Sequence, residues 1–282
     1  LNPGIFRGLP DAGPLHAPLP HLGLHLALAA AIWLALPWLR RRRRALPRAL
    51  GELAIPLMFP FFYGELRFLQ LVFFSLDASF DPWLIDLERT LFGGQPSITW
   101  SQYAPWPWLR ELLEFAYFSY YFFAVAALLL VWRSRVDDPA LRWRRAASLV
   151  RDLTAVMLTC YTWYVFLPVW GPKYFAKVNV IGPVEIDGWL FTDIMHYIHA
   201  NGALQGAAFP SSHVAGSMVS WWWIWKLFPR HRWWATTMWL LLCASIVYCR
   251  YHYLVDFFGG VLWGGFVLWL CSRLGDEREL RP

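Results

Sequence analysis

The chain has 282 residues, of which 58% are apolar and only 16% charged, against roughly 25% charged in soluble domains. It carries 20 tryptophans and a net charge of +6. Such a balance excludes an ordinary soluble domain. The basic residues cluster between apolar runs, which is a membrane-orientation pattern, not a nucleic-acid footprint. The sequence therefore reads as an all-α, polytopic membrane helix bundle with no nucleic-acid partner.

Seven apolar runs approach the roughly 20 residues that a helix needs to cross a bilayer. In chain order they cover about 22–39, 50–75, 108–132, 148–170, 211–229, 234–249 and 254–272. The arginines follow the first run instead of preceding it, so it is expected to be a retained span and not a cleaved leader. Pro56 and Pro60 interrupt the second, as membrane helices tolerate when neighbours satisfy the freed backbone. The sixth is the shortest.

Threading these spans places eighteen Lys and Arg on one side, beginning with the run Arg40 to Arg44, and six on the other. The arginine-rich side is then cytoplasmic. The N-terminus and the loops 76–107 and 171–210 are expected outside, and the C-terminus inside, in a bacterial inner membrane. The expected organisation is an external N-terminal segment, first span and basic loop over 1–49, a membrane core over 50–272, and a cytoplasmic tail over 273–282. Tryptophans such as Trp33, Trp38, Trp106, Trp108, Trp233 and Trp234 fall near span ends, as in an interfacial belt. Cys160, Cys243, Cys249 and Cys271 lie in or beside apolar runs without metal-ligand spacing, and read as buried thiols.

Ionisable groups at the edges of spans are expensive and point to function. Three places qualify, all external under this topology. In "FPSSHVAGS", Phe209 to Ser217, Pro210 and a capping Ser211 or Ser212 are expected to start a helix. Its first-turn amides make an anion site with His213 beside it. In "CRYHYLVDFFGG", Cys249 to Gly260, His252 and Asp256 are four apart and share a face if helical. A carboxylate there fixes the tautomer of the ring, and Arg250 supplies a fork for an anion. In "VWGPKYF", Val169 to Phe175, Lys173 is either a phosphate point charge or a snorkelling lysine. Together these parts suit phosphoryl transfer, with one histidine attacking phosphorus and the other protonating the leaving oxygen. His196 and His199 are three apart, but no carboxylate or cysteine pattern beside them supports a metal site. They read as a surface helix over the site, and no metal or other cofactor is expected.

The "PSSH" motif and "HYLVD" before "FFGG" resemble the type 2 phosphatidic acid phosphatase superfamily over roughly residues 50–272. The segments "LIDLERTLFGGQPS" and "FAYFSYYF" resemble its inositol phosphorylceramide synthase branch. The resemblance implies a six-helix core, to which the first span is an addition. It implies His252 as the nucleophile that becomes phosphohistidine, Asp256 as its partner and His213 as general acid. Ser211 and Ser212 would help hold the phosphate, with Lys173 at the lysine of the first motif and Arg250, two before His252, as a substitute for the arginine of the third. Two motif positions differ: Val180 and Ile181 stand where the family has Arg-Pro after the lysine, and Ile246 stands where its third motif has arginine. Both departures favour the synthase branch. The expected substrate is a phospholipid or polyprenyl phosphate among membrane lipids, cleaved by water or transferred to an alcohol. A non-catalytic subunit that keeps the fold is the alternative, and convergence of Lys173, Arg250, His213, His252 and Asp256 on one cavity is its discriminating test.

Overall fold

A computed structural model describes residues 53–75, 78–134, 138–179, 186–202 and 204–274, with six further positions from 27 to 38. The basic run, most of the first candidate span, Val180, Ile181 and the residues beyond Leu274 lie outside the described residues. All regular structure among the described residues is helical. The helices are α1 (Phe59–Phe73), α2 (Asp81–Phe92), α3 (Pro96–Tyr103), α4 (Pro107–Phe118), α5 (Tyr120–Arg133), α6 (Pro139–Phe166), α7 (Pro172–Asn179), α8 (Leu190–Gly202), α9 (Ser212–Leu227), α10 (Arg232–Tyr248) and α11 (Leu254–Leu274).

Local chemistry sets many of these boundaries. Proline occupies the first turn of α1, α2, α3, α4 and α6, where its fixed φ helps and its missing N–H costs nothing. Asp138 caps α6 by accepting from the Ala140 amide at 2.8 Å. Gly93 ends α2 at a φ of 71°, a left-handed conformation that glycine adopts without strain.

Helix α9 is the centre of the bundle and packs against α11, α6, α10 and α5. Its contact with α11 is close because Gly260 and Gly264 lie one turn apart on the facing side. A Cβ at Gly260 would stand 2.7 Å from the Ser211 carbonyl oxygen, and one at Gly264 3.0 Å from the Ala215 Cα. These small residues bring the start of α11 against the start of α9.

Helix α11 is the one described helix that by itself is long and apolar enough to cross a bilayer. The pair α4 and α5 passes the same test together, bent by 50° at Ser119. The remaining expected spans fall short for readable reasons. Helix α6 is 28 residues long but carries Arg142, Arg144, Arg145, Arg151 and Asp152 in its first half. Helices α9 and α10 have 16 and 17 residues, and α1 has 15 after a break at Met58. The bundle nevertheless exposes large apolar side chains from several helices, among them Leu69, Phe122, Trp163, Leu240, Leu262 and Trp269. Exposed apolar surface of this kind marks an interaction face.

Candidate active site

Two chain segments meet at the end of the bundle where α9 and α11 begin. Ser211 is the N-cap of α9, and its hydroxyl accepts from the Val214 amide at 3.4 Å. Its own amide donates to the Asp256 carbonyl at 3.1 Å, which ties one helix start to the other. The Ser212 amide donates to the Tyr164 hydroxyl at 3.0 Å, and that hydroxyl donates to the Pro210 carbonyl at 2.9 Å. The cap forms as expected, but Pro210 lies before the helix. The amides of Ser212 and Val214 are used inside the protein and do not point outward at an anion.

His252 sits in the turn between α10 and α11, so the spacing to Asp256 is not a full helical turn as expected. The Asp256 carboxylate folds back to accept the Tyr253 amide at 2.8 Å, half of a capping box at the start of α11. This places Asp256 Oδ2 3.4 Å from His252 Nδ1. The nearer partner of Nδ1 is the Ala208 carbonyl, at 2.9 Å. On the other side of the ring, His252 Nε2 lies 3.4 Å from His213 Nδ1. His213 Nε2 in turn lies 3.0 Å from the Tyr117 hydroxyl.

The pattern assigns the protons. A carbonyl only accepts, so His252 carries its proton on Nδ1 and a lone pair on Nε2. His213 then donates from Nδ1, and the Tyr117 hydroxyl donates to its Nε2. The nitrogen suited to attack is therefore the one facing His213. Tyr117 and Tyr120 bracket the His213 ring at 4.7 and 4.5 Å, from either side of the bend at Ser119.

Helix α2 braces this arrangement with two buried carboxylates. Asp81 accepts from the amides of Trp170 and Gly171 at 2.7 and 2.9 Å and from the Tyr253 hydroxyl at 2.8 Å. Gly171 has a φ of 85°, and a Cβ there would stand 2.9 Å from the Tyr251 carbonyl oxygen. Glu88 accepts from the Leu254 and Val255 amides at 2.5 and 3.3 Å and so caps α11. Burial pushes the Glu88 carboxyl up to about 7, against the pull of those amides.

Of the other expected site residues, Lys173 places its Nζ 4.9 Å from the centre of the Tyr251 ring. Tyr251 also stacks on His199, with centroids 4.1 Å apart. Burial, with Lys173, His213 and His252 nearby, lowers His199 to about 2, so its ring stays neutral. Arg250 takes a φ of 62°, and its Nε donates to Ser101 at 3.0 Å on α3. The structure thus joins His252, His213 and Asp256 directly, sets Lys173 over the Tyr251 ring and turns Arg250 toward α3; of these five, His213 alone lines the cavity of about 740 Å³ that adjoins the site. Tyr117, Asp81 and Glu88 were not singled out in the sequence. All three reach the site across long stretches of chain, and no local spacing announces them.

A bundle in which one helix start offers a histidine to a second, carboxylate-held histidine defines a class, and comparison with known proteins supplies its family. The sequence profile described as the PAP2 superfamily matches residues 82–270, about two thirds of the chain, and contains the paired histidines. The chain belongs to the PAP2 superfamily. It is also 25% identical over 177 residues to a PA-phosphatase related-family protein of Dictyostelium discoideum. That match covers 55% of this chain and 32% of its relative, so the chain spans about a third of that protein's length. No solved structure matches.

Proposed function

We propose that the protein is an integral membrane lipid phosphatase or phosphotransferase that works through a phosphohistidine on His252. The observation that carries this reading is the orientation of the His252 ring: Nδ1 tied to Ala208 and Asp256, and Nε2 left with a lone pair toward His213. In the first step Nε2 attacks phosphorus and the bond from phosphorus to the leaving oxygen breaks. The arriving phosphate favours the imidazolium form of His213, which gives its proton to that oxygen. Asp256 offsets the positive charge that grows on His252. In the second step water or an alcohol attacks phosphorus, His213 takes the proton, and the N–P bond breaks.

Substrate must part the two rings, because a 3.4 Å contact leaves no room for a phosphate between them. Lys173, Ser211 and Ser212 are proposed to hold the phosphate, and Arg250 joins them only if it turns away from Ser101. The reading places the site on the external face of a bacterial inner membrane, on the strength of the arginine asymmetry between loops. Transfer in the manner of the synthase-like branch is the finer part of the proposal, carried by the "LIDLERTLFGGQPS" and "FAYFSYYF" segments.

An activity screen tests it. Purified protein is incubated with phosphatidic acid, polyprenyl diphosphate and phosphatidylinositol, with and without a ceramide acceptor, and products are identified by mass spectrometry. Release of inorganic phosphate marks hydrolysis, and a new head group on ceramide marks transfer. Neither product from any lipid would leave the reading as a non-catalytic subunit of a larger membrane complex.

A further inference from the structure

One buried titratable ring beside the paired histidines has no part in the phosphoryl steps. His199, on α8, lines the same cavity as His213 and Ser212. Its ring lies flat on Tyr251, with centroids 4.1 Å apart and planes 8° apart. The Tyr117 ring stands between the two histidines, 5.8 Å from His199 and 4.7 Å from His213. Both nitrogens of His199 are shut off from solvent, and neither has a hydrogen-bond partner among the described residues. Buried polar groups are rarely left so, because an unmade hydrogen bond there costs the desolvation of the group. His213 and His252, by contrast, each have a partner for both nitrogens.

The stack on Tyr251 lets the ring offer a nitrogen to a ligand. A half-turn about the Cβ–Cγ bond keeps the plane of an imidazole, and so its contact with Tyr251, while it exchanges each nitrogen for a carbon. Whichever edge meets the cavity can therefore carry a nitrogen without loss of packing.

The surroundings say which group it takes. A neutral imidazole offers one donor and one acceptor. Lys173 and the other histidines nearby disfavour a further positive charge, so an ammonium does not suit. A phosphate oxygen only accepts, and would serve the protonated nitrogen alone. A hydroxyl both gives and takes, so it pairs with either nitrogen. With the phosphate held at His252 and Lys173, the part of the lipid that reaches past Tyr117 is the alcohol that bears it.

Resting on the phosphohistidine reading, we propose that His199 is a specificity-determining residue that hydrogen-bonds a hydroxyl on the alcohol portion of the substrate, within a few atoms of the phosphate. The substrate class is then a phosphate ester of a polyol, such as a glycerol-based lipid with a free hydroxyl, in preference to the phosphate of a simple long-chain alcohol. No bond to His199 forms or breaks, and the proton transfers stay with His213.

The test compares two substrates that differ by one oxygen. One is an acyl-glycerol phosphate with a free hydroxyl beside the phosphate-bearing carbon, and the other is its deoxy analogue with hydrogen there. For the wild type, kcat/KM should favour the hydroxyl compound about ten-fold, as one hydrogen bond supplies. His199→Phe keeps a ring to stack on Tyr251 but has no nitrogen, and should abolish the preference. His199→Gln loses the stack but keeps a donor and an acceptor, and should retain part of it. A wild type without the preference, or a preference kept better by His199→Phe than by His199→Gln, would overturn the proposal and leave the ring a packing element.

A binding arm separates this proposal from the catalytic one. The same pair is made as methylene phosphonates, which have no ester oxygen to cleave, and their affinities for the full chain in detergent are measured by calorimetry. An affinity ratio of about ten-fold that vanishes in His199→Phe supports the hydroxyl site even if no lipid phosphate is turned over. Equal affinities, or binding of neither compound, would overturn it.

Discussion

Two buried polar clusters lie side by side at one end of the bundle, and they are built to opposite tolerances. In the first, His252 meets His213 and Asp256 at 3.4 Å each, and His213 borders the cavity. In the second, Arg110 meets Glu114 at 2.5 Å, and the Tyr251 hydroxyl lies 2.8 Å from both oxygens of that carboxylate. Glu114 is wholly buried and does not line the cavity. The Tyr117 and Tyr251 rings, 4.4 Å apart, join the two. Tight contacts with no opening hold a structure together. Longer contacts at an open edge leave room for a ligand to complete them.

Substitutions separate the clusters. His213→Ala should lower kcat about 10² to 10⁴-fold, the usual worth of a general acid, while the thermal midpoint in detergent moves little. Glu114→Ala should do the reverse. It strands the Arg110 charge in the interior and should cost about 3–5 kcal/mol of stability, read as a fall in thermal midpoint, with kcat per folded molecule near wild type. A catalytic loss from Glu114→Ala without loss of stability would merge the two clusters into one site.

Tyr117→Phe, at the junction, tests which cluster claims it. Removing the hydroxyl takes the donor from His213 Nε2 and should lower kcat about ten-fold and displace one limb of the pH–rate profile. A purely structural tyrosine would leave the profile in place.

The smallest effect is expected from Glu88, where the readout is pH. Its folded-state value of about 7 lies above the ordinary 4.5. The folded protein therefore keeps a proton that the unfolded chain has lost, and stability falls as pH rises from 4.5 through 7. Glu88→Gln keeps an acceptor for the Leu254 amide and should flatten the thermal midpoint across that window. An unchanged slope would show that another group carries it.

The same contrast explains what the sequence revealed. The loose cluster was legible because His213, His252 and Asp256 sit in short motifs at the edges of apolar runs, where polar groups are costly. The tight cluster and its braces were not. Asp81 meets Tyr253 across 172 positions, Glu88 meets Leu254 across 166, and Tyr251 meets Glu114 across 137. Arg250 misled by proximity: two residues before His252, it is carried toward Ser101 by a backbone φ of 62°. Pro56 and Pro60 announced the interruption at Met58, whereas no proline or glycine announced the bend at Ser119, and arginines charge the start of α6.

The central claim is that His252 Nε2 becomes phosphorylated. The direct measurement is to mix enzyme with a lipid substrate carrying radiolabelled phosphate, quench in alkali to preserve an N–P bond, and map the label by peptide mass spectrometry. The account predicts label on the peptide containing His252 and its absence in His252→Ala. Label on a different residue, or normal turnover by His252→Ala, would contradict it.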